Sequence, residues 1–384
     1  MTEHGESVDV AIIGAGPVGM TLALALAGGP HRVRLIDARP RGAWSSDPRA
    51  LALAHGSRQV LEGLQAWNRN AATAISTIHV SQRAGFGRTL IDASDYGLPA
   101  LGYVMRYRDL AAALDARLGD SLLLDNCSVL RVDSDDIHTG LTLRRADETW
   151  RITAKLVVHA EGTPGNDDDV RVYDYRQHAL VAEVRPAAAH DHRAWERFTA
   201  DGPIALLPLD SDFSLVFTVP PEKAGELLEL DEQAFLARLH ECFAGRLEFT
   251  ACRTRASFPL ALRIRRQITA GRQVWIGNAA QTLHPVSGQG FNLGLRDAWE
   301  LAETLLGTAS DDAGDATALA AYGRRRVIDR NGSAAFTDGI VRVFSNDLAP
   351  LRFARGLGLL ALELLPPLRH FVARRMIWGA RAWP

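Results

Sequence analysis

The sequence predicts an α/β fold, in which a Rossmann-type nucleotide-binding domain carries an inserted, mostly antiparallel sheet domain and ends in C-terminal helices. Three observations lead to this prediction. Near the start, a short apolar strand, a glycine-rich turn, a helix and a second strand follow one another. Residues 175–262 contain short alternating segments that are typical of antiparallel strands. A buried strand then runs into a helix again, which returns the chain to the first domain.

The first domain is expected to be discontinuous, because its strand and helix patterns occur in three separate stretches. The second domain and the terminal helices take up the remainder of the 384 residues. The predicted limits are 1–75, 100–175 and 264–345 for the nucleotide-binding domain, 76–99 and 176–263 for the substrate-binding sheet domain, and 346–384 for the C-terminal helices.

Composition excludes several classes of protein. With 47% hydrophobic residues and a formal net charge of −2, the chain is globular and has no basic field that would attract nucleic acid. Cys127, Cys242 and Cys252 lack metal-type spacing, so neither a metal site nor a disulfide is expected. Residues 10–30 carry no charge, but glycines interrupt them and acidic residues precede them, unlike a signal peptide. The chain is therefore predicted to be cytoplasmic.

The turn GAGPVG joins the first strand to the first helix. Its Gly14, Gly16 and Gly19 have the G-x-G-x-x-G spacing that allows a tight turn, close approach to a pyrophosphate and close packing of helix on strand. The helix N-terminus adds positive potential. Asp37 closes the second strand, where an acid accepts hydrogen bonds from ribose hydroxyls. The pattern predicts a bound dinucleotide; the alternative is a glycine-rich turn without a ligand.

A second glycine-rich stretch, WIGNAAQTLHPVSGQGFNLGLRDA, lies far along the chain. Asn278 follows a buried strand and can hydrogen-bond to ribityl or phosphate oxygens. Gly288, Gly290 and Gly294 allow the backbone to approach a flat ring, and the helix that follows directs free N–H groups towards negative charge. A flavin needs such a second contact region, so the stretch favours FAD over NAD.

These stretches resemble the group A flavin monooxygenases of the aromatic-hydroxylase fold. Among them the chain is similar to the ubiquinone-biosynthesis hydroxylases, most closely those that act on 2-polyprenyl-6-methoxyphenol. The resemblance spans nearly the whole chain. It lies in DVAIIGAGPVG, DPRALALAHGSRQVLEGLQAW, ISTIHVS, ERFTADGPIALLPL, GNAAQTLHPVSGQGFNLGLRD and the Y-x-R-R-R helix at Tyr322–Arg326.

At the nucleotide end of FAD, the resemblance implies that the three glycines of GAGPVG hold the pyrophosphate and that Asp37 holds the adenosine ribose. Arg49, in DPRA, would lie over the pyrophosphate or the flavin edge, with Arg108 as another candidate on this side. The alternative for both arginines is a solvated surface position.

At the flavin end, the resemblance implies that Asn278 contacts the ribityl chain and that Pro285 lines the flavin. The backbone at the start of the following helix would meet the O2 side of the ring, at Gly288, Gly290, Phe291 and Asn292.

Three positions depart from the family pattern. Asn278 stands where the broad family has Asp, although Asn is similar to the ubiquinone subgroup. Asp37 is shorter than the usual Glu. Glu161–Gly162 replaces an Asp-Gly pair and is one methylene longer, which leaves its FAD contact open.

His284 and Ser287 invite a hydrolytic interpretation, but neither a nucleophile elbow nor an orienting acid accompanies them. We expect His284 to be a structural turn residue. Trp195 and Phe198 either line a ring pocket or pack in the core.

The C-terminal stretch GLGLLALELLPPLRHFVARRMIWG has two interpretations. Its helices either cover the core or rest on the anionic surface of the inner membrane through their apolar side and Arg374, Arg375 and Arg381. Glu363 and Pro366–Pro367 interrupt the stretch too much for it to span.

The resemblance implies an activity. NAD(P)H or another electron donor would reduce FAD, and dioxygen would form a flavin C4a-hydroperoxide that passes one oxygen atom to the ring of a polyprenylated phenol. Other proteins of ubiquinone biosynthesis are implied partners. Three alternatives stay open: a hydroxylase of another aromatic, a flavin oxidoreductase without oxygen transfer, and a non-catalytic scaffold of the biosynthetic complex.

Overall fold

The computed structural model describes residues 6–83, 85–163, 167–346 and 348–379, and within them the chain forms three sheets. In chain order the strands are β1 (Glu6–Ile13), β2 (Val33–Ile36), β3 (Ala50–Ala54), β4 (Thr73–Ile75), β5 (Thr77–Gln82), β6 (Arg88–Asp92), β7 (Gly102–Arg106), β8 (Leu123–Leu124), β9 (Ser128–Ser134), β10 (Thr139–Arg145), β11 (Glu148–His159), β12 (Val170–Pro186), β13 (Arg193–Phe198), β14 (Pro203–Leu209), β15 (Asp212–Val219), β16 (Phe249–Cys252), β17 (Ala256–Arg265), β18 (Thr269–Ala270), β19 (Gln273–Trp275) and β20 (Gln281–Thr282). The α-helices are α1 (Pro17–Leu26), α2 (His55–Gly63), α3 (Tyr107–Asp115), α4 (Pro221–Glu229), α5 (Glu232–Cys242), α6 (Gln289–Gly307), α7 (Ala316–Phe344), α8 (Ala349–Leu364) and α9 (Pro366–Trp378).

The first sheet has the strand order β18-β19-β11-β1-β2-β8, with β10 and β9 attached beside β11. β19, β11, β1, β2 and β8 run parallel, as strands joined by crossovers must. Helices α1 and α6 bury their apolar sides against this sheet. The core there includes Val10, Met20, Leu22, Val158 and Leu295.

The second sheet has the order β20-β17-β12-β15-β14-β13-β5-β6, with β16 beside β12. Most of its pairs are antiparallel, and β5 with β13 is parallel. One face packs on α4 and α5 through a core that includes Leu206, Leu215, Phe217, Phe235 and Leu239. We call this the outer face, and the opposite one the inner face. A third, smaller sheet, β3-β7-β4, packs against the inner face through Ala50 and Val104.

The predicted fold class is confirmed: a parallel nucleotide-binding sheet, a mostly antiparallel second sheet and C-terminal helices are all present. The domain boundaries stay a prediction. Two of the predicted limits, 175/176 and 263/264, fall within β12 and β17. Pairing between distant strands decides such boundaries, and local patterns do not encode it.

The last two helices, α8 and α9, meet at an angle of 95°. No single helix within the described ranges is long and apolar enough to cross a membrane, and only this bent pair, taken together, has the length and composition to do so. Arg381, one of the arginines named for membrane contact, lies outside the described residues.

Candidate active site

Four neighbouring parallel strands end at the same edge of the first sheet, and each is followed by a residue named in the sequence analysis. In sheet order these are Asn278 beyond β19, Glu161 after β11, Gly14 after β1 and Asp37 after β2. The carboxyl edge of an open parallel sheet is where such folds bind their ligands. The topology therefore brings separate parts of the chain to one potential site.

The three glycines of the first turn differ in how much space surrounds the position that a Cβ would take. Gly14 has φ +105°, and a Cβ there would lie 2.6 Å from the carbonyl of Ala160. A Cβ on Gly19 would lie 2.0 Å from the carbonyl oxygen of Gly14. Gly16 has φ −74°, and the nearest atom to its Cβ would be the Tyr107 hydroxyl at 3.5 Å. Backbone packing therefore requires glycine at the first and third positions. A Cβ at the second would make only an ordinary contact with the Tyr107 hydroxyl and would otherwise face open space.

Helix α1 begins at this open space. Gly16 is its N-cap and Pro17 its first residue, and in this fully described turn no side chain caps the helix and no acid lies in the first turn. The free N–H groups at a helix N-terminus carry partial positive charge. The arrangement suits an anion such as a pyrophosphate.

Asp37 is tied to the glycine turn. Its Oδ2 accepts a hydrogen bond from the backbone N–H of Ala15 at 2.7 Å, and its Oδ1 accepts one from the backbone N–H of Arg39 at 2.8 Å. Burial would raise the pKa of this carboxyl, but the hydrogen bonds from the Arg39 side chain and from the two backbone groups outweigh burial, so the pKa is lowered. A cleft beside it is lined by Met20 and Trp44, among others. An ionised acceptor thus faces a cleft.

Arg49 lies close to the same turn. Its guanidinium pairs with Asp47, at 2.6 Å between Nη2 and Oδ2, and lies 5.0 Å from the centre of the Tyr107 ring. Since the Tyr107 hydroxyl is the group nearest to Gly16, these contacts bring Arg49 towards the glycine turn. Arg108 is similarly exposed, 52% against 45% for Arg49, and pairs with Asp109 at 3.8 Å, but within the described ranges it does not lie over the Tyr107 ring.

A buried carboxylate fixes the turn that carries Asn278. The backbone N–H of Gly277 donates to Oδ2 of Asp297 at 3.0 Å, and the amide of Gln281 donates to the same oxygen at 2.7 Å. Oδ1 accepts from Nε of Arg326 at 2.7 Å. Gly277 and its neighbour Ala279 are buried, whereas the Asn278 side chain is exposed at the sheet edge. Asn278 is therefore held in place by its neighbours with its amide left accessible.

Val18, which belongs to the first glycine-rich stretch, packs against the second. Its methyl groups lie 3.2 Å from the position a Cβ would take on Gly277 and 3.0 Å from that on Gly294. The two glycines thus let α6 and the Asn278 turn approach α1 closely. Two motifs separated by more than 250 residues in sequence are joined in this way.

The start of α6 resembles the start of α1. Its N-cap is Gly288, with φ +59°, and neither a side-chain cap nor an acid is present in this described first turn. A Cβ on Gly290 would have Leu283 Cβ, at 3.9 Å, as its nearest neighbour. Gly290, like Gly16, therefore faces open space, next to unpaired N–H groups.

Asn292 stabilises this helix start with its side chain. Its Oδ1 accepts from the Ala54 N–H at 2.8 Å and from Ser57 Oγ at 2.7 Å, while Nδ2 donates to the carbonyls of Ala52 and Gly288. The amide thus makes four hydrogen bonds within the protein. It anchors α6 to β3, and a ligand is left with the backbone of this turn.

His284 and Ser287 do not form a catalytic pair. Nδ1 of His284 accepts from the N–H of Val286 at 3.1 Å, and Ser287 Oγ lies 2.8 Å from the hydroxyl of Thr337. Burial lowers the pKa of His284 to about 4, so the ring is neutral. The expectation of a structural turn residue before Pro285 agrees with these contacts.

Glu161, the departure after β11, turns to His159. Its Oε1 lies 3.1 Å from Nδ1 of that histidine, whose Nε2 lies 2.9 Å from the side-chain oxygen of Gln273. The His159 ring stacks on Trp275, with 4.8 Å between the centroids. The longer acid therefore has a partner within the protein.

Comparison with known proteins agrees with an FAD-binding site at this sheet edge. A family model described as an FAD binding domain matches residues 7–330. Ubiquinone hydroxylase UbiL from Rhodospirillum rubrum is 31% identical, and the match covers 98% of this chain and 91% of that protein. The chain belongs to the ubiquinone hydroxylase family of FAD-dependent monooxygenases. The 3-demethoxyubiquinol 3-hydroxylase of Escherichia coli is 30% identical, with 93% of this chain and 95% of that protein covered.

Solved structures of other monooxygenases share the fold. The p-nitrophenol 4-monooxygenase PnpA of Pseudomonas putida superposes with a TM-score of 0.76 at 16% identity, covering 97% of this chain and 99% of that one. PqsL, a probable FAD-dependent monooxygenase from Pseudomonas aeruginosa, gives a TM-score of 0.74 at 21% identity, with 92% and 100% covered. The predicted family, cofactor and enzyme class are confirmed.

Sequence reasoning missed some residues of this monooxygenase. Tyr107 lies against the Gly16 turn, and Asp297 fixes Gly277, but neither had been given a role. Asp297 belongs to the quoted motif GNAAQTLHPVSGQGFNLGLRD, so its presence there was the available signal. Tyr107 immediately precedes Arg108, which the sequence predicts as a site residue instead. A helix-start prediction alone does not tell which of two adjacent side chains faces the site.

Proposed function

We propose that this monooxygenase hydroxylates the aromatic ring of a polyprenylated phenol in ubiquinone biosynthesis. The observation that carries the proposal is the pair of open glycines, Gly16 and Gly290, each at the uncapped start of a helix. Neither has a positive φ or a close neighbour in the fold that would require glycine. A cofactor that comes against the backbone at both places explains why both are glycine.

At the nucleotide end, we propose that the backbone from Gly14 to Gly19 and the N–H groups of α1 bind the FAD pyrophosphate. The ionised carboxylate of Asp37 accepts hydrogen bonds from the ribose in place of those that the half-exposed Arg39 side chain now donates to it. Arg49 contributes positive charge next to the Tyr107 ring. Arg108 fits this set less well, because Arg49 and not Arg108 lies over the Tyr107 ring beside Gly16.

At the flavin end, the accessible amide of Asn278 suits the ribityl hydroxyls. In this proposal Pro285, Phe291 and the backbone at Gly288, Gly290 and Asn292 hold the ring. The N–H groups at the start of α6 stabilise negative charge on the ring edge they face. Bound FAD supplies the redox chemistry, namely reduction by NAD(P)H or another donor and activation of dioxygen. The protein's part is to orient the phenol ring and to exclude water from it.

The decisive experiment follows labelled oxygen. Purified protein should show a flavin spectrum, and FAD should be released on denaturation. With a reductant and a polyprenylated phenol under ¹⁸O₂, we expect one labelled oxygen atom in the product. Turnover that continues without dioxygen would instead identify a flavin oxidoreductase, and protein that cannot be loaded with FAD would indicate a scaffold. A set of phenols with different ring substituents separates ubiquinone precursors from other aromatics.

We further propose that α8 and α9 rest on an anionic membrane surface, where a polyprenyl chain resides. Phe353, Leu357, Leu360 and Leu364 are exposed at the spacing of one side of α8, and Leu365, Leu368 and Phe371 are exposed at and after the bend into α9. Arg374 and Arg375 are exposed on α9. Apolar side chains next to arginines are typical of helices that lie in the plane of a membrane interface.

Flotation with vesicles tests this surface. The wild type should bind vesicles that contain anionic phosphatidylglycerol, and replacing Leu364 and Leu365 by Ser should weaken binding about a hundredfold or more, since each buried apolar side chain contributes roughly 1.5–3 kcal/mol. Ile137→Ser is the matched control, because Ile137 is equally exposed at 66% but lies in the β9–β10 turn. Equal vesicle binding by all three proteins would contradict the proposal. Contact with other proteins of the pathway stays a prediction.

A further inference from the structure

A row of partly accessible side chains crosses the inner face of the second sheet. The strand registers align Val80, Glu196, Ala205, Val216 and Val181, from β5 across to β12. Each of the five is intermediate in accessibility. Four are small apolar residues, and one is a carboxylic acid.

The row lies on the side of the sheet away from α4 and α5. Residues that alternate with it, including Ile204, Leu206 and Leu215, are fully buried in the core beneath those helices. Trp195 also packs against that core, so this tryptophan is a core residue. Because neighbouring residues of a strand point to opposite faces, Glu196 points to the inner face.

Two contacts support the inner face on either side of Glu196. Two residues earlier in β13, Ala194 packs with Ala50 of the small sheet. Two residues later, Phe198 stacks on Phe344 of α7, with 3.9 Å between the ring centroids. Glu196 stands between these supports, about 7 Å from each along the strand. Between these supports the row stays partly accessible to solvent, which leaves space beside Glu196.

Strand β3 connects this space to the start of α6. Its Ala50 packs against the inner face, while Ala52 lies 3.4 Å from the position of a Cβ on Gly288. Asn292 holds the same strand through the N–H of Ala54. The row is therefore on the side of the second sheet that faces the proposed flavin site.

Glu196 has an unusual environment for an acid. Its Oε1 is buried and accepts no hydrogen bond, and among the described residues no Lys, Arg or His forms an ion pair with it. Burial raises the pKa of this carboxyl well above its ordinary value. An unsatisfied polar group among Val and Ala side chains destabilises a protein unless a ligand uses it.

We infer that Glu196 recognises the phenolic hydroxyl of the substrate and thereby sets which ring carbon faces the flavin. The inference rests on the proposed function. The carbonyl oxygen of the uncharged carboxyl accepts a hydrogen bond from the phenolic O–H, and its own O–H donates a hydrogen bond to the phenol oxygen, while the neighbouring Val and Ala side chains contact the ring. No proton is transferred. Glu196 acts as a positioning and specificity-determining residue on the roof of the pocket.

The test compares Glu196→Gln with Glu196→Leu in the FAD-loaded enzyme. Glutamine keeps an uncharged donor and acceptor, whereas leucine keeps only volume. Binding of a polyprenylated phenol and of its O-methyl ether is measured without turnover, through the change in flavin fluorescence. We expect the wild type and Glu196→Gln to prefer the phenol about tenfold or more, and Glu196→Leu to lose this preference. Glu226→Leu, on the exposed side of α4, is the matched control.

Turnover gives a second measurement. Glu196→Leu should raise KM for the phenol and yield a mixture of ring positions, with FAD content unchanged. An unchanged preference for the phenol in Glu196→Leu would overturn the inference while leaving the proposed function intact. Loss of preference in Glu196→Gln as well would show that a charged carboxylate is required, which also overturns it. If the wild type takes up FAD but binds no phenol, both the inference and the proposed function fail.

Misfolding is not expected to confuse the result, because leucine removes a buried polar group that has no partner. The melting temperature of Glu196→Leu should equal or exceed that of the wild type. If it falls and FAD is lost, Glu196→Gln and Glu196→Ala still decide the question through their phenol-to-ether preference. Retention of that preference by Glu196→Ala would overturn the inference.

Discussion

The carboxylate of Asp297 accepts a hydrogen bond from the backbone N–H of Gly277, with 3.0 Å between Oδ2 and N. Asp297 lies on α6 and Gly277 just after β19, so the bond joins the two elements that meet at the sheet edge. The same carboxylate pairs with the fully buried Arg326 of α7. An ion pair inside the helical layer thereby determines where Asn278 stands.

Asp297→Asn should break this arrangement. Arg326 keeps Glu300 and Asp329 as ion-pair partners. The amide has one acceptor oxygen, however, so it cannot accept from both Gly277 and Arg326, and a buried donor left without a partner costs about 1–3 kcal/mol. We expect the free energy of unfolding of the apoprotein to fall by an amount of that order, and FAD affinity to fall with it because Gly277 loses its anchor. Urea unfolding and FAD titration measure the two effects. Glu303→Gln, on the exposed side of α6, is the control, and wild-type values for Asp297→Asn would refute the anchoring role.

Gly16→Val and Gly19→Val should have opposite consequences. Gly16 has an ordinary φ and open space at its Cβ, so the valine variant should fold. Its side chain fills the space proposed for the pyrophosphate, whose charge-assisted hydrogen bonds contribute about 1.5–3 kcal/mol each. We expect a folded protein with FAD affinity reduced roughly a hundredfold. Gly19→Val should not fold, since its Cβ would lie 2.0 Å from the Gly14 carbonyl oxygen.

Circular dichroism and flavin content distinguish these two outcomes. Gly119→Val is the control, because that glycine is exposed and has nothing within 4 Å of its Cβ position. Wild-type flavin content in Gly16→Val would show that the pyrophosphate does not lie there.

The sequence predicted those parts of the molecule that local chemistry determines. The unit β1–α1–β2 follows from hydrophobic period and glycine spacing, and so does Asp37 at the end of β2. Tyr107 and Glu196 could not be found in this way. Their significance depends on which distant residues face them, Gly16 for the first and the inner-face row for the second. Strand order in the second sheet, which makes that row, arises from pairing across long sequence separations.

Asp37→Asn should weaken FAD binding and change how the free energy of unfolding depends on pH. In the wild type the pKa of Asp37 is lowered in the folded state, so the unfolded chain binds its proton first as pH falls. This carboxyl therefore stabilises the fold above its ordinary pKa of 3.8, and the contribution is lost as pH falls through the folded-state value. The asparagine variant should lose less stability than the wild type on acidification below about pH 4.

Urea unfolding of the apoprotein between pH 3 and 7 measures this difference, and FAD titration at neutral pH measures binding. Asp120→Asn is the control, because the Asp120 side chain is 99% exposed. An acid response identical to that of the wild type would contradict the role of the Ala15 and Arg39 hydrogen bonds.

His284→Asn should leave activity within a few-fold of the wild type and make the fold less sensitive to mild acid. Burial lowers the pKa of His284 from 6.5 to about 4, so between these values the unfolded chain binds a proton that the folded chain does not. Stability that is present above pH 6.5 is therefore lost as pH falls towards 4. At about 1.4 kcal/mol per pKa unit, the full effect is roughly 3 kcal/mol.

Asparagine is chosen because its side-chain oxygen can take over the hydrogen bond from the Val286 N–H. Unfolding free energies at pH 7 and pH 4.5 are compared for His284→Asn and for His138→Asn, a partly exposed control in the β9–β10 turn. Burial also lowers the pKa of His79 to about 4. Because His79 is present in both variants, part of the pH dependence of the unfolding free energy should remain in each. A large loss of oxygen transfer in His284→Asn, with folding and FAD content intact, would return His284 to the list of catalytic candidates. Because Ser287 bonds to Thr337, such a role would not be that of a hydrolytic pair.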